Sequence, residues 1–358
     1  KSQPPTGVAG DGTIGDVVSF YKEKYALPAI AVITVKDDQT VEKSGKGLRR
    51  MEDSVPVSEQ EYWGIGSITK SMTATLTAAI IDSGILNWDT TLAEIFPEFD
   101  GMQERYRSIT VSELLSHSAG LPQDDDEVWA PFVQSDTPLS EQRYALTEEV
   151  LKHASDQQRG KFLYSNINYV VVAAILEKLT SKSFEELIRT RLFEPLGMHH
   201  SRVAVSGQRN SVWGHKYHNG QWVSVDPGID DVDNAAIVAP AGSRTFMTLD
   251  DMGIYLSAHL RAMHGNTTLM ALQNFRKLHT KVVDADEDLG YAMGWFTEGT
   301  YGLQHSGSDN RWLALSFINS DTGFAYFVVI NAYKVGIEQV VFEMLQALIK
   351  RTDVLSGE

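Results

Sequence analysis

The sequence predicts an α+β fold, in which an antiparallel sheet flanked by the N- and C-terminal helices is joined to a mainly helical lobe. Three observations predict it: β-rich segments lie near both ends of the chain, helical periodicity dominates the middle, and an amphipathic helix lies near each end. Strands from the two ends most simply pair in one sheet. We therefore expect 1–65 and 285–358 to form the sheet lobe and 66–284 the helical lobe, as one structural unit.

The N-terminal elements follow from their apolar spacing. Residues 14–25 predict a helix with these side chains on one face: Ile14, Val17, Val18 and Tyr21. Segments 29–35 and 41–47 are β-rich and are separated by a short polar turn, which predicts a hairpin. Residues 67–81 repeat apolar side chains every fourth position, as a helix requires: Ile68, Met72, Leu76 and Ile80.

The remaining elements complete the pattern. Further helices are predicted at 111–117, 142–154, 166–180, 183–192 and 249–262. Aromatic and β-branched segments predict strands at 291–296, 313–318 and 324–331, and 338–350 predicts a closing amphipathic helix.

Charge and composition exclude several classes of function. Lys plus Arg number 31 and Asp plus Glu number 47, so the net charge is −16, which argues against nucleic acid as a partner. The chain has no Cys, which excludes disulfides and thiolate metal sites. No apolar run reaches the roughly 18 residues that an integral membrane segment needs. The acidic segments 123–127 and 230–233 lack the Gly and terminal Glu of an EF-hand, so we expect solvated loops and no metal site.

Ser67 and Lys70 form an S-x-x-K element at the start of the predicted helix 67–81. Side chains three residues apart share a helix face, so a buried lysine there can lose its proton and activate the serine. The same spacing occurs at Ser19 and Lys22, within a helix and without other polar candidates nearby. The sequence therefore favours Ser67 as a nucleophile and Ser19 as a coincidental match.

Two further elements carry chemistry of the same kind. Tyr164 and Asn166 form Y-x-N before the predicted helix 166–180, where a phenol can exchange a proton and an amide can bind a substrate carbonyl. The similar element at 217–219 is followed by Gly and predicts a polar hairpin turn. His305, Ser306 and Gly307 lie between two predicted strands, where the backbone can approach a ligand.

Together these elements resemble those of the serine β-lactamase and penicillin-binding-protein superfamily. The group most similar contains class C β-lactamases, D-alanyl-D-alanine carboxypeptidases, D-aminopeptidases and family VIII carboxylesterases. Supporting segments are FLYSN at 162–166, ITV followed by LLSHSAGLP within 109–122, FEPLGM at 193–198 and PAG at 240–242.

The resemblance implies a β-lactamase/transpeptidase-like fold with the active site between the two lobes. It also implies acyl-enzyme chemistry without a cofactor or metal. It implies Ser67 as nucleophile, Lys70 as its activator and Tyr164 as general base. Asn166 would contact a substrate amide or Lys70, and the backbone N–H groups of Ser67 and Ser308 would form an oxyanion hole. The family is often exported in bacteria, so a periplasmic or secreted location is expected.

His305 stands where β-lactamases of this group have a lysine. A histidine is mostly neutral at pH 7, so an esterase or D-peptidase is favoured over an efficient β-lactamase. Arg311 could supply an alternative anion site. Substrates would be small molecules or peptides with an ester, amide or lactam bond. A class C-type β-lactamase and a non-catalytic peptidoglycan- or peptide-binding relative remain alternatives.

Overall fold

The computed structural model describes residues 10–356, which form thirteen strands and twelve α-helices. The strands, in chain order, are β1 (Ala29–Lys36), β2 (Gln39–Gly47), β3 (Trp63–Gly64), β4 (Ser201–Val203), β5 (Gly214–His218), β6 (Gln221–Val225), β7 (Thr245–Met247), β8 (Val283–Asp284), β9 (Leu289–Tyr291), β10 (Phe296–Glu298), β11 (Gly302–Ser308), β12 (Leu313–Asn319) and β13 (Phe324–Ile330).

The helices divide between the ends and the middle of the chain. In chain order they are α1 (Ile14–Lys24), α2 (Thr69–Asp82), α3 (Leu92–Ile95), α4 (Val111–Leu115), α5 (Asp126–Trp129), α6 (Leu139–Lys152), α7 (Asn166–Thr180), α8 (Phe184–Ile188), α9 (Glu194–Leu196), α10 (Leu249–Met263), α11 (Leu272–His279) and α12 (Glu338–Ser356). None of the helices in residues 10–356 combines the length and apolarity that a membrane crossing requires.

One eight-stranded sheet joins the two ends of the chain, in the order β2-β1-β13-β12-β11-β10-β9-β8. Strand β1 pairs antiparallel with β13, from Ile30 opposite Ile330 to Lys36 opposite Phe324. The prediction of an α+β fold with an antiparallel sheet built from both ends is therefore confirmed.

The central strands are buried on both faces of the sheet. Along β1, Ile30 and Val32 belong to the core that includes side chains of α1 and α12. The alternate residues Ala31 and Ile33 belong to the core shared with the helical lobe. Because successive side chains of a strand point to opposite faces, the terminal helices cover one face of the sheet and the helical lobe covers the other.

Helix α2 lies at the centre of the helical lobe. Every residue from Thr69 to Ile81 is buried, and the helix packs against α7 and α11. The predicted helix 67–81 was correct in its body, but Ser67 itself lies in a 3₁₀ turn, Gly66–Ile68, that leads into it.

Two predictions about strands were wrong. Segment 291–296 is not one strand: Tyr291 ends β9, Phe296 begins β10, and the chain turns between them at Gly294, whose φ is +79°. Its backbone approaches α2 so closely that a Cβ at Gly294 would lie 2.5 Å from the Cα of Ser71, which explains why the chain reverses there. His305, Ser306 and Gly307 lie within strand β11 rather than between two strands.

Two small sheets beside the eight-stranded sheet were not anticipated as strands. Strands β3, β7 and β4 form one three-stranded sheet, and β5 pairs with β6. The polar turn predicted at 217–220 is confirmed as the turn of the β5–β6 hairpin, where Asn219 and Gly220 both have positive φ.

Candidate active site

Ser67 lies where the sheet and the helical lobe meet. It is half-buried, between β3 and the start of α2. Gly66 has a φ of +52°, and a Cβ there would lie 2.4 Å from the backbone nitrogen of Ser308. A Cβ at Gly307 would lie 2.6 Å from the backbone nitrogen of Ser67. The two glycines therefore let β11 touch the turn that carries Ser67, which brings the backbone nitrogens of Ser67 and Ser308 to one side of the cleft.

Lys70 is fully buried one helical turn beyond Ser67, and its amine has three polar neighbours. Its Nζ lies 3.1 Å from Ser67 Oγ, 2.7 Å from Asn166 Oδ1 and 2.8 Å from the carbonyl oxygen of Ala241. The amide and carbonyl oxygens only accept hydrogen bonds, so they take two N–H groups of the lysine. In the neutral amine, the remaining lone pair then faces the Ser67 hydroxyl.

Burial lowers the pKa of Lys70 from its ordinary value to about 7, although the negative charge of Asp124 opposes this. Desolvation disfavours the ammonium form, and the neighbouring carboxylate favours it. A substantial fraction of Lys70 is consequently neutral near pH 7 and able to accept a proton.

Tyr164 covers Lys70 from the side of α7. Nζ of Lys70 lies 4.5 Å from the centroid of the phenol ring. Burial raises the pKa of Tyr164 well above its ordinary value, and the neighbouring Ser67 side chain only partly offsets the rise. Tyr164 therefore stays protonated at neutral pH, and the order of the two pKa values makes Lys70 the better acceptor of a proton from Ser67.

Asn166 is the first residue of α7, and its amide lies between Lys70 and a carboxylate. Its Oδ1 faces Lys70, while its Nδ2 donates to Oδ2 of Asp124 at 3.0 Å. Asp124 belongs to the acidic segment 123–127, which the sequence predicted to be a solvated loop. That prediction was wrong for Asp124, because four donors of the site surround its carboxylate, and for Asp126 and Glu127, which lie in α5; Asp125 is an exposed residue that caps this helix.

His305 is buried beneath the cleft, and both ring nitrogens have partners in the protein. Nδ1 donates to the Ser306 carbonyl at 2.6 Å, and Nε2 lies 3.2 Å from the Tyr291 hydroxyl. Burial, together with the charge of Lys70, lowers the pKa of His305 to about 3. The ring is therefore neutral, and it does not line the cleft beside Ser67.

Arg311 lies apart from the nucleophile. Its guanidinium is buried and donates through Nη2 to Oδ2 of Asp231 at 2.6 Å, and it does not line the cleft. Of the other predicted residues in this region, Ser308 lines the cleft, whereas Ser306 points to the exposed side of β11. The structure thus gathers Ser67, Lys70, Tyr164, Asn166 and Ser308, and it places His305 and Arg311 behind the surface that a substrate would meet.

The cleft beside Ser67 encloses about 200 Å³ and carries an acidic lining. Five aspartates line it: Asp124, Asp125, Asp126, Asp233 and Asp309. Apart from Lys70 beneath Ser67, no lysine or arginine of residues 10–356 lines this space. Burial raises the pKa of Asp309 to about 6 against the opposing charge of Arg311, and Lys216 pairs with Asp233 at 2.9 Å, so the lining is acidic but partly neutralised from behind.

Sequence reasoning also missed His117, which lies behind Tyr164. Its ring centroid lies 4.5 Å from that of Tyr164, and its Nδ1 lies 2.9 Å from Nδ2 of Asn168. Its φ of +56° is unusual for a residue other than glycine. The signal was present, because His117 lies within the LLSHSAGLP segment, but the pattern alone gave it no role. The same holds for Ala241, whose carbonyl oxygen meets Lys70 and which lies in the PAG segment.

Comparison with curated proteins gives distant relatives. The chain is 21% identical over 328 residues to Protein flp of Staphylococcus aureus, covering 89% of this chain and 62% of that protein. It is 28% identical over 179 residues to Penicillin-binding protein 4 of Amycolatopsis lactamdurans, covering 48% of this chain and 44% of that protein. The chain thus spans less than two thirds of the length of these relatives.

Solved structures share the fold at low identity. The octameric penicillin-binding protein homologue from Pyrococcus abyssi superposes with a TM-score of 0.76 at 24% identity, covering 93% of this chain and 76% of that one. The D-stereospecific amidohydrolase from Streptomyces sp. gives 0.71 at 19% identity, covering 91% of this chain and 96% of that one.

The sequence pattern of the family described as Beta-lactamase matches residues 14–339. This stretch contains the 3₁₀ turn with Ser67, helix α2 with Lys70, the loop with Tyr164 and strand β11. These elements surround the cleft. The chain therefore belongs to the beta-lactamase family.

Proposed function

We propose that this protein is a serine hydrolase that cleaves an ester or amide through an acyl-enzyme on Ser67. The observation that carries the proposal is the contact of 3.1 Å between Nζ of the buried Lys70 and Oγ of Ser67. Since the other two neighbours of Nζ are acceptors, a neutral Lys70 has only one direction in which to accept a proton, and that direction is Ser67.

Acylation follows from these positions. Lys70 takes the hydroxyl proton as Oγ of Ser67 bonds to the substrate carbonyl carbon, and the carbonyl π electrons move to its oxygen. The N–H groups of Ser67 and Ser308 would stabilise that oxyanion. When the tetrahedral intermediate collapses, the bond to the leaving group breaks. The leaving group receives a proton that passes from the Lys70 ammonium, directly or through the Tyr164 phenol.

Deacylation repeats the sequence with water as the nucleophile. Water bonds to the acyl carbon while Lys70 takes one of its protons. The bond to Oγ then breaks, and the proton returns to Ser67, which restores the free enzyme. Tyr164, protonated at neutral pH, is suited to donate a hydrogen bond in both halves rather than to start as a base.

The charges around the cleft favour neutral esters, and D-peptides without a free C-terminal carboxylate, over β-lactams and other substrates that carry a carboxylate. His305 is neutral, Arg311 is paired with Asp231, and five aspartates line the cleft. A carboxylate would therefore enter without a fixed cation to bind it and would meet like charges. Neutral or cationic substrates avoid this electrostatic repulsion.

Turnover of a substrate panel tests the proposal: a neutral p-nitrophenyl ester, a D-alanyl-D-alanine peptide and nitrocefin. We expect the neutral ester to be cleaved faster than nitrocefin or the D-alanyl-D-alanine peptide, because both of these carry a carboxylate. Ser67→Ala should lose several orders of magnitude in kcat, while Ser19→Ala should match the wild type. Full turnover in Ser67→Ala would contradict the nucleophile assignment, and efficient nitrocefin hydrolysis would favour a β-lactamase.

A further inference from the structure

Asp124 lies in the loop between α4 and α5, and its carboxylate is fully engaged at the site. Oδ1 accepts from the backbone N–H of Asn166 at 2.6 Å and from Ser165 Oγ at 3.1 Å. Oδ2 accepts from Asn166 Nδ2 at 3.0 Å and from Trp129 Nε1 at 3.3 Å. An ionised carboxylate has about four acceptor positions, so these four donors occupy its whole capacity.

These contacts make Asp124 the cap of α7. Ser165 is the N-cap residue of that helix, yet its own side chain makes no capping hydrogen bond. The carboxylate of Asp124 accepts the first helical N–H instead, at the end of the helix where negative charge is favourable. Asp124 therefore fixes the start of α7, the position from which Asn166 reaches Lys70.

The same carboxylate decides which way the Asn166 amide points. Because a carboxylate only accepts, the NH₂ group of Asn166 must face Asp124 and the oxygen must face Lys70. The reversed amide would set oxygen against oxygen on one side and N–H against N–H on the other. Both of those contacts are repulsive in a buried site.

We propose that Asp124 is a positioning residue of the hydrolase: through the Asn166 amide it orients the Lys70 amine so that its lone pair faces Ser67. This inference rests on the proposed function, since it assigns a task within the same reaction. Asp124 accepts its hydrogen bonds from Ser165, Asn166 and Trp129 and not from Ser67, so it acts through Asn166 and through its charge.

The charge of Asp124 also affects the protonation of Lys70, which a residue that only capped α7 would not do. The titratable groups around Lys70 are the phenols of Tyr164 and Tyr169, the rings of His117 and His305, and the Asp124 carboxylate. Burial keeps both histidines neutral and both phenols protonated at neutral pH. Asp124 is thus the negative charge that opposes the loss of a proton from Lys70.

The test compares Asp124→Asn with Glu127→Gln, the removal of an exposed carboxylate in the same segment that does not line the cleft. The readout is kcat and KM for a neutral p-nitrophenyl ester from pH 5 to 9. For Asp124→Asn we expect kcat to fall about 10²-fold with little change in KM. The acid limb of the pH profile of kcat should move to lower pH by about half a unit or more, because the Lys70 ammonium loses the neighbouring carboxylate that stabilises it. Glu127→Gln should show neither effect.

A double variant, Asp124→Asn with Asn166→Asp, keeps the test decisive if the single variant folds poorly. It exchanges the two polar groups, so an amide at 124 can donate to a carboxylate at 166. That carboxylate would contact Lys70 directly, so the acid limb should move above that of the wild type. If the acid limb of the pH profile stayed at the wild-type position in either folded variant, the proposal would be overturned. An equal loss of kcat in Glu127→Gln would overturn it as well.

The proposed function fails separately, if Ser67→Ala retains turnover. If Ser67→Ala is inactive while Asp124→Asn keeps the wild-type pH profile and kcat, only the role of Asp124 is removed.

Discussion

At the scale of single residues, the protonation of Lys70 governs the proposed reaction. Only the neutral amine can accept the Ser67 proton, and burial lowers the pKa of Lys70 to about 7. A group with a lowered pKa is neutral above that value and charged below it. We therefore expect kcat/KM to rise as pH increases through about 7 and to reach a plateau above it. A profile that falls with increasing pH through this range would contradict Lys70 as the base.

The effects of substituting Lys70 and Tyr164 on kcat should depend on each other. Loss of a proton-transfer group costs about 10²-fold or more in kcat, so Lys70→Ala and Tyr164→Phe should each show that loss. If the two groups pass one proton between them, the double variant should be little worse than the poorer single variant. The rates of the four proteins on one ester measure this. Fully multiplicative losses would indicate that one of the two residues is merely structural.

The sequence predicted the proximity of Ser67 and Lys70 and named Asn166 as a contact of a substrate amide or Lys70, but it did not reveal the roles of Ala241 and Asp124 around them. Ser67 and Lys70 are close because they lie three residues apart on one helix, which spacing alone can predict. The contact of Lys70 with Ala241 and that of Asn166 with Asp124 join residues far apart in the chain. Such contacts depend on how loops pack over the helix ends, for which the sequence carries no periodic signal.

At the scale of elements, the approach of strand β11 to the Ser67 turn is a requirement of the site. A Cβ at Gly66 would lie 2.4 Å from the Ser308 nitrogen, so Gly66→Ala must push the strand away or strain the turn. We expect a loss of turnover of about 10²-fold or more, the scale of a lost oxyanion-hole donor.

Gly220→Ala is the matched control for that variant. Gly220 also has a positive φ, of +80°, but no atom lies within 4 Å of the position that its Cβ would take. The substitution Gly220→Ala should lower the free energy of unfolding by about 1 kcal/mol through backbone strain and leave turnover unchanged. Thermal unfolding and ester turnover of both variants measure the two effects. Similar turnover in the two variants would contradict the close approach as the cause.

Element prediction succeeded where periodicity was strong and failed at close approaches of the backbone. The body of α2 and the pairing of β1 with β13 follow from apolar spacing and β propensity. Segment 291–296 has the same aromatic and β-branched character, yet it turns at Gly294 because the chain there meets the backbone of α2. That contact is tertiary, so the local composition could not reveal it.

At the scale of the whole molecule, charge should influence which substrates reach the cleft. The net charge is −16, and five aspartates line the cleft. A carboxylate-bearing ester should therefore show a kcat/KM that increases several-fold with salt, because salt screens the repulsion. A neutral ester of the same alcohol should change little. If salt instead lowered kcat/KM for the anionic ester, a cationic anchor such as Arg311 would have to face the substrate.

The packing of the helical lobe against the large sheet explains why the site lies where it does. The turn that carries Ser67 follows a short strand and leads into the buried helix α2, while β11 supplies the opposite wall from within the large sheet, where it pairs with β10 and β12. The order of elements predicted the sheet and the helical lobe, and the family resemblance implied that the site would lie between them. The acidic lining of the cleft was not predictable, because its aspartates come from three separate segments: 124–126, Asp233 and Asp309.

The central claim is a covalent acyl-enzyme on Ser67, and intact-protein mass spectrometry with peptide mapping tests it most directly. The protein would be treated with an alkylphosphonate ester that phosphonylates nucleophilic serines, beside Ser67→Ala and Ser19→Ala. We predict one label per chain in the wild type and in Ser19→Ala, on the peptide that contains Ser67, and none in Ser67→Ala. A label that persists in Ser67→Ala, or that maps to another residue in the wild type, would contradict the account.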